Sequence, residues 1–561
     1  MRRKKNWKRW SALLLGLTMS MGMLAGCGGK ETADGGQNNS PAENESAVVS
    51  TASVRTEAEG LPISDEKLTF TIAVPQVSAL KTAAEKECVK KAEEETNIHI
   101  EWMEIPQSGW DEKVNILFST DSLPDAIIGG IDVSKYYEQL AAWDDYMKDY
   151  APNVSAFFDT RDDYPESLIA PDGKIHCMPI GDESLENTID SQLWINADWL
   201  EKVGMDMPTT PEEFKEVLIA FRDQDPNGNG IQDEIPFTFF SAWNWGNGIE
   251  NLFGPWGVLE NSNHVFVQDG KVTFSPAQQG YYDTLFWLHE LYQEGLIDKE
   301  VFTMSVDQYD SRGAAGDVIG AMINYNGTGC GVDNGDGTSG SDRYLPVPVL
   351  KGTDGTQMIG LNNAYPGDNF VITSACKNPE ALVRWYDYIN SSLENALLWG
   401  RGAEGVAWKI EEKDGQEVPV RLTLTADVLA ANGGYSNLAE YRQAECFAGK
   451  TPALWRQEYD LALQFDELAQ TPNWKRESIK EQMQYGVYGL PSGMSSDPEN
   501  EERRVILKTD IDTYLEKFIA DSVINGIDED KWNTHLKTLE SLKTDEYTQL
   551  CQEFVDDYES R

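Results

Sequence analysis

Oxygen-bearing side chains recur at a regular spacing in Asp225-Pro-Asn227-Gly-Asn229-Gly230-Ile231-Gln-Asp233-Glu234. With Asp225 as position 1, side-chain oxygens fall at positions 1, 3, 5 and 9, and Gly230 at position 6 allows a sharp turn. Calcium takes six to eight oxygen ligands, and this spacing wraps them round one point, with the Ile231 carbonyl as the position-7 donor. Position 12, where a calcium loop of this kind carries a bidentate Glu, is Pro236, so Glu234 would have to supply that carboxylate. Asp225, Asn227, Asn229, Ile231, Asp233 and Glu234 thus read as a structural Ca2+ clip. The other reading is an Asn/Gly-rich turn with helix-capping acids.

A second constellation is aromatic. Trp243-Asn-Trp245-Gly-Asn247-Gly is followed by Phe253-Gly-Pro-Trp256-Gly. Tryptophans interleaved with Gly and Asn cannot share one buried helix face. Indoles on a loop can pack on the apolar faces of sugar rings while Asn and Gly amides bond the hydroxyls. Trp399-Gly-Arg401-Gly-Ala-Glu404 is similar and adds a cation and an anion. Trp243, Trp245, Asn247, Trp256, Trp399, Arg401 and Glu404 are therefore candidate ligand contacts, with core packing of the indoles as the alternative.

Enzyme motifs fare badly. Gly335-Asp-Gly337-Thr-Ser-Gly340 matches GxGxxG, but a Gly/Asn loop precedes it and Arg343-Tyr-Leu-Pro346 follows, so no strand–turn–helix frames it. No Walker A, HExxH or GxSxG occurs, and His99, His176, His264, His289 and His535 are isolated. With 94 Asp and Glu residues, a glycosidase-like carboxylate pair could be drawn anywhere and carries no weight by itself. No catalytic residue is assigned.

The N-terminus carries Arg2, Arg3, Lys4, Lys5, Lys8 and Arg9, then a short apolar run from Ala12 to Met23, then Leu24-Ala-Gly-Cys27. A basic head, a brief apolar stretch and small residues before a cut make a secretory signal peptide over 1–26. The run is too short to span a bilayer. Leu-Ala-Gly-Cys resembles the bacterial lipobox. The resemblance implies acylation of Cys27, with chains such as palmitate, and a lipid anchor on the outer face of the cell membrane. Losing a leader with six positive charges takes the net charge from −48 to about −54. So acidic a chain should repel nucleic acid and anionic headgroups. Seven cysteines are scattered with no CxxC spacing, which suits buried thiols better than a disulfide framework in a chain this long.

Residues 27–64 are rich in Gly, Ser, Asn, Glu and Ala, and read as a disordered tether. Order begins at Leu68. Leu68, Phe70, Ile72 and Val74 alternate as a strand, and the helix–strand–helix–strand series to Leu123–Gly130 predicts a sheet with helices on its faces. Ligands of such sheets sit beyond the carboxyl ends of strands, which directs Gly129–Asp132, and Asp132 itself, toward a cleft. Thr210-Pro-Glu-Glu213 opens a helix with an N-cap, Pro at the first position and a capping-box Glu. Helices are predicted at 281–294 and 379–390, strands at 318–325 and 370–373, and a helical tail from about Thr509. Tyr325, at the end of its strand, joins the candidate ligand contacts.

The pieces resemble, in order, the extracellular solute-binding lipoproteins of carbohydrate ABC importers, and most closely the large branch that includes the alginate-oligosaccharide-binding proteins. They are Leu123-Pro-Asp125, Leu193-Trp-Ile-Asn-Ala-Asp-Trp-Leu200, Pro208-Thr-Thr-Pro-Glu-Glu-Phe214, Asp225–Pro236, Glu404-Gly-Val406, and Ile527-Asp528 with Trp532. The resemblance implies a two-lobed α/β fold of periplasmic-binding-protein type II, each lobe a mainly parallel sheet flanked by helices. One lobe takes 65–190 and about 368–425, the other 191–367 and about 430–561. It implies an oligosaccharide held between lobes that close on crossings near 188–192, 366–370 and 420–435. It further implies calcium in the 225–234 loop, transfer to permease subunits, and action as a monomer with no enzymatic activity. The rival readings are a lipid-anchored glycoside hydrolase and a binder of peptide or cationic ligands.

Overall fold

The computed structural model describes residues 60–561 apart from 161–162, 182, 190, 241–247, 313–316, 326–342, 363–368, 414, 448–449, 467 and 469. Cys27 and tether residues up to 59 lie outside the described residues, but the end of the expected tether is packed: Ile63 and Ser64 are buried, and the Arg384 guanidinium donates to the Gly60 and Ile63 carbonyls, so 60–64 belong to the first core and not to the tether. Among those described, no helix is long and apolar enough to cross a membrane.

Leu68–Gln76 pairs in parallel with Ile98–Pro106 on one side and with Ala126–Gly129 on the other. Asn369–Ile372 then pairs antiparallel with Ala126–Gly129, and Met178–Pro179 antiparallel with Asn369–Ile372. Ile72, Ile127, Ile128 and Val371 are fully buried here, because helices cover both faces. Pro379–Ile389 packs one face through Leu382, Trp385, Tyr386 and Ile389, the stripe its spacing predicts. Gly129 ends its strand at φ +149°, and a Cβ there would meet the Trp110 ring at 2.5 Å, so only glycine lets the chain turn against that indole. Trp110 Nε1 in turn donates to the Gly130 carbonyl at 2.8 Å.

The second sheet runs Tyr344–Pro346, Gln192–Asn196, Ile319–Asn324, Ile235–Thr238, with only the last pair parallel. Both sheets are therefore mixed, not mainly parallel. The reason is directional. Leu68–Gln76 and Ala126–Gly129 run toward the cleft, whereas Asn369–Ile372 starts at the cleft where the chain re-enters, and must run away from it. Pro211–Asp223 covers the second sheet with Phe214, Val217, Leu218 and Phe221. Thr210 Oγ1 accepts from Glu213 N at 3.1 Å as its N-cap, but the Glu213 carboxylate reaches Thr209 N at 2.8 Å and not Thr210 N, so the expected capping box closes one residue early.

Two further clusters flank these cores. The hairpin Val265–Gln268/Lys271–Phe274 packs against Pro498–Asn525 and Thr544–Glu559 through Val265, Ile511, Leu515 and Phe554, and shares Tyr514 and Leu536 with the second core. A three-stranded sheet, Trp408–Lys413, Gln416–Arg421 and Gln464–Phe465, packs with Leu429, Tyr441 and Trp455 on Leu397. Phe447, Ala453 and Leu454 enter the first core. The segment 430–463 thus stays with the first lobe. The expected crossing near 420–435 lies instead after Phe465, because Gln416–Arg421 is held from both sides by strands of the same small sheet.

The chain passes between the cores over 180–191, after Leu361, and after Phe465. These passages share a small core of their own: Leu185, Ile189, Ile359, Leu361 and Ile479. Gly486–Tyr488 adds a parallel strand to Ile359–Leu361. Asp460 and Arg476, both buried, join them at 2.6 Å. Asp460 also accepts from Leu185 N at 3.0 Å and Trp455 Nε1 at 3.2 Å, and Arg476 reaches Glu186 at 3.3 Å.

Candidate functional site

The two cores face each other across a cleft of about 2690 Å³. Pockets for small ligands run to about 300–1,000 Å³, so this one admits a ligand of several rings with water. Asp132, Pro179 and Asn369 line it from the carboxyl end of the first sheet, as the strand order requires, while Tyr325 lines it from the second. Between them lie the crossings with Glu183, Glu186, Asn187 and Lys475.

Asp132 is exposed, and Ser134 Oγ donates to it at 2.5 Å. Tyr325 donates through its hydroxyl to Asn187 Oδ1 at 2.7 Å, while the Lys475 ammonium sits 3.4 Å from its ring centroid and donates to the Tyr325 carbonyl. One face of Tyr325 is therefore held by a cation. The Arg401 guanidinium lies 4.9 Å from the Trp455 ring centroid, and both line the cleft. Trp455 is tied to the first crossing by backbone bonds to Gly181 O, 2.8 Å, and from Glu183 N, 2.7 Å. Nothing in its Pro452-Ala-Leu-Trp455 context marks it in the sequence.

Three expected contacts fall outside the cleft. Trp399 is 1% exposed, stacked on Phe447 at 5.6 Å and edge-on to Trp385 at 5.8 Å. It faces inward on Leu393–Arg401, so the helix turns Arg401 to the cleft and Trp399 to the core. Trp256 is half-buried against Trp287 at 5.2 Å, in the second core. Glu404 is exposed on a turn bridged to Trp408, away from the cleft wall. Trp243, Trp245 and Asn247 lie outside the described residues. The residues that follow them, Gly248–Asn251, line the cleft.

The 225–234 loop joins the helix Pro211–Asp223 to the strand Ile235–Thr238, away from the cleft. Asp225 Oδ1 accepts from Asn229 N at 3.1 Å and Oδ2 from Gly230 N at 3.0 Å, with Gly228 and Gly230 at φ +71° and +75°. The Asn227 and Asn229 amides both donate to Asp233 Oδ1, at 2.9 and 3.0 Å. The oxygens therefore converge, with amide N–H groups turned inward against Asp233. Glu234 Oε1 is buried with no hydrogen-bond partner, and burial, with Asp225 and Asp233 adding to it, raises its pKa. Among the described residues no group of three or more His, Cys, Asp or Glu is poised to hold a metal. This loop relies on amide and carbonyl oxygens as well as carboxylates. Two inward N–H donors and an orphaned carboxylate oxygen are what a hard cation would replace and satisfy, so the donor set fits calcium.

Arg561 follows the helix Thr544–Glu559, whose end residues Tyr558 and Glu559 line the cleft. Its guanidinium donates to the Glu166 and Ile169 carbonyls at 3.1 and 3.4 Å and to the Met494 carbonyl, Ile169 and Met494 both packing against the first core, and to Asp557 of the helix Thr544–Glu559 at 2.7 Å. Nearby, His264 ties the hairpin to the long helix Pro498–Asn525, with Nδ1 at 2.5 Å from Glu260 and Nε2 at 3.0 Å from Asp512. The five cysteines among the described residues, Cys88, Cys177, Cys376, Cys446 and Cys551, are free thiols.

Residues 75–392 match the family model described as bacterial extracellular solute-binding protein. The chain is 29% identical, over 99% of both chains, to the fructooligosaccharide ABC transporter substrate-binding protein FusA of Streptococcus pneumoniae. FusA in complex with kestose superposes with a TM-score of 0.71 at 27% identity, covering 88% of this chain and 99% of that one. A FusA EF-hand mutant in complex with fructo-nystose gives 0.70 at 26% identity, with the same coverage.

The His264 bridge has a pH signature. Burial alone would lower the His264 pKa, but the Glu260 and Asp512 carboxylates outweigh it and lift it to about 9. Its folded pKa thus lies above the unfolded value of about 6.5. The bridge contributes its full stability below about pH 6.5 and loses it as pH rises through about 9. Urea unfolding should weaken by roughly 2–4 kcal/mol between pH 6.5 and 9.5, and His264→Gln should flatten most of that slope. Parallel slopes in the two proteins would show that the bridge is not ionic.

Proposed function

We propose that this chain, which belongs to the bacterial extracellular solute-binding proteins, captures a short oligosaccharide outside the cytoplasm and hands it to the permease of an ABC importer. The end-to-end match with FusA carries the reading and makes fructooligosaccharides the first class to test. The cleft supports it physically. Its walls combine aromatic rings, Tyr325 and Trp455, with carboxylates, amides and cations at fixed positions, the mixture that holds hydroxyl-rich rings. Ligand touching both walls favours a closed arrangement over an open one by its extra contacts in the closed form, and the crossings are where that change is absorbed. The protein acts as a binder and not as an enzyme.

Calorimetry of the purified protein with kestose should give saturable binding, with a rise in melting temperature that grows with ligand concentration. Product analysis of the same mixtures tests the hydrolase reading. Released fructose would make the protein a glycosidase, and failure of kestose alongside binding of a cationic peptide would favour the third reading.

Anchorage through acylated Cys27 follows from the Leu24-Ala-Gly-Cys27 signal. Wild-type protein should fractionate with membranes, and Cys27→Ala should pass to the soluble or secreted fraction with its affinity for kestose unchanged. Retention of the variant on membranes would remove the lipid from the account.

Calcium at Asp225, Asn227, Asn229, Ile231, Asp233 and Glu234 would pin the junction between helix and strand in the second lobe. When bound, the ion supplies only charge and coordination. Asp225, Asp233 and Glu234 supply the carboxylates, Asn227 and Asn229 turn their amide oxygens inward, and the Ile231 carbonyl completes the set. Chelation should lower the melting temperature, by the equivalent of about 2.7 kcal/mol where calcium stands at 100 times its Kd. Asp225→Ala with Asp233→Ala should melt low and ignore the chelator. An unchanged wild-type melt in chelator, with elemental analysis showing no retained metal, would rule the ion out.

A further inference from the structure

Ten large apolar or aromatic side chains stand exposed among the described residues, and Tyr488 is the one of them that lines the cleft. It is 47% exposed, whereas Trp455 beside the cleft is 5% exposed. A tyrosine left open to water keeps an apolar ring without cover. Its backbone is not a loose loop. Gly486–Tyr488 pairs in parallel with Ile359–Leu361, Tyr488 opposite Leu361, inside the packed crossings. Alternation along a strand fixes its direction: Val487 turns into the second core, so Tyr488 is directed to the opposite side. The glycines on either side of this pair permit the arrangement. A Cβ at Gly486 would strike the Leu361 side chain at 2.2 Å, and one at Gly489 would crowd the Asn261 amide at 3.2 Å. Asn261, Gln268 and Asn362 line the same cleft, so amide groups share it with the exposed ring.

We propose that Tyr488 is a platform for a ring of the bound oligosaccharide, set on the strand Gly486–Tyr488 that pairs with Ile359–Leu361 and packs on the second core through Val487. The inference rests on the oligosaccharide reading above. A ring face of tyrosine takes the C–H side of a pyranose or furanose, leaving the hydroxyls on its rim to polar groups of the cleft. Because Val487 of the same strand packs on the second core, the platform is carried by that lobe and can receive ligand before the lobes close.

The test is calorimetry with kestose on the full chain, as wild type, Tyr488→Ala, Tyr488→Phe, and Phe286→Ala, an exposed aromatic outside the cleft. Losing about 50–100 Å² of apolar contact should weaken binding by Tyr488→Ala about 10- to 50-fold. Melting should stay within about 2 °C of wild type, since the ring covers little protein. Tyr488→Phe and Phe286→Ala should bind within about threefold of wild type. If wild type binds kestose and Tyr488→Ala binds within threefold, the platform is wrong and the oligosaccharide reading stands. If wild type binds neither kestose nor any other oligosaccharide in a panel, both fall. Should Tyr488→Ala fail to fold, nitration of wild-type Tyr488 by tetranitromethane, mapped by mass spectrometry, decides: protection by saturating kestose supports the platform, and unchanged nitration overturns it.

Discussion

The buried pair of Asp460 and Arg476 is the interaction on which the architecture depends. Two opposite charges with little solvent gain from each other only if the remaining lone pairs and N–H groups are also satisfied. Here Leu185 N and the Trp455 indole complete Asp460, and Glu186 and the Asp460 carbonyl complete Arg476. The partners come from the first crossing, from the first-lobe side and from the helix Gln470–Gln482 that follows the last crossing. Removing Arg476 would leave the Asp460 carboxylate buried without its counter-charge, a far larger penalty than losing a surface pair such as Arg503–Glu546. The pair therefore specifies register where hydrophobic contact between short segments could slip.

From that fixed bundle the rest of the cleft follows. Strands running toward the crossings end at the cleft, and strands emerging from them begin there. Each sheet accordingly mixes directions and gathers its loop ends on one side. Asp132, Asn369 and Tyr325 meet because of this, although they lie far apart in the chain. Arg401 and Trp399 show the finer rule: two residues apart on a helix, they point to opposite environments, one to the cleft and one to the core.

How much of this was legible in the sequence depends on range. Local signals read well: the alternation from Leu68, the stripe from Leu382 to Ile389 and the N-cap at Thr210. Interactions between distant segments did not. The sheet around Gln416–Arg421 depends on Gln464–Phe465, some forty residues on, and no periodicity announces it. That omission moved the last crossing to the wrong place. Trp256, Trp399 and Glu404 stand beside or near glycine in the sequence, and glycine reports only that the backbone turns. Tyr488 lay in Gly486-Val-Tyr-Gly489, a context as bland as any, and its exposure exists only once the second core has claimed Val487.

The bracket made by Arg561 has a mechanical meaning. A body joined to another along one bundle can bend about it in more than one direction. The guanidinium that holds Glu166, Ile169 and Met494 to Asp557 on the last helix adds a second point of attachment. Two points define a line. Any displacement of the lobes that preserves both attachments is a rotation about that line, with a single degree of freedom. The cleft then gapes along one side, like a book held at both ends of its spine.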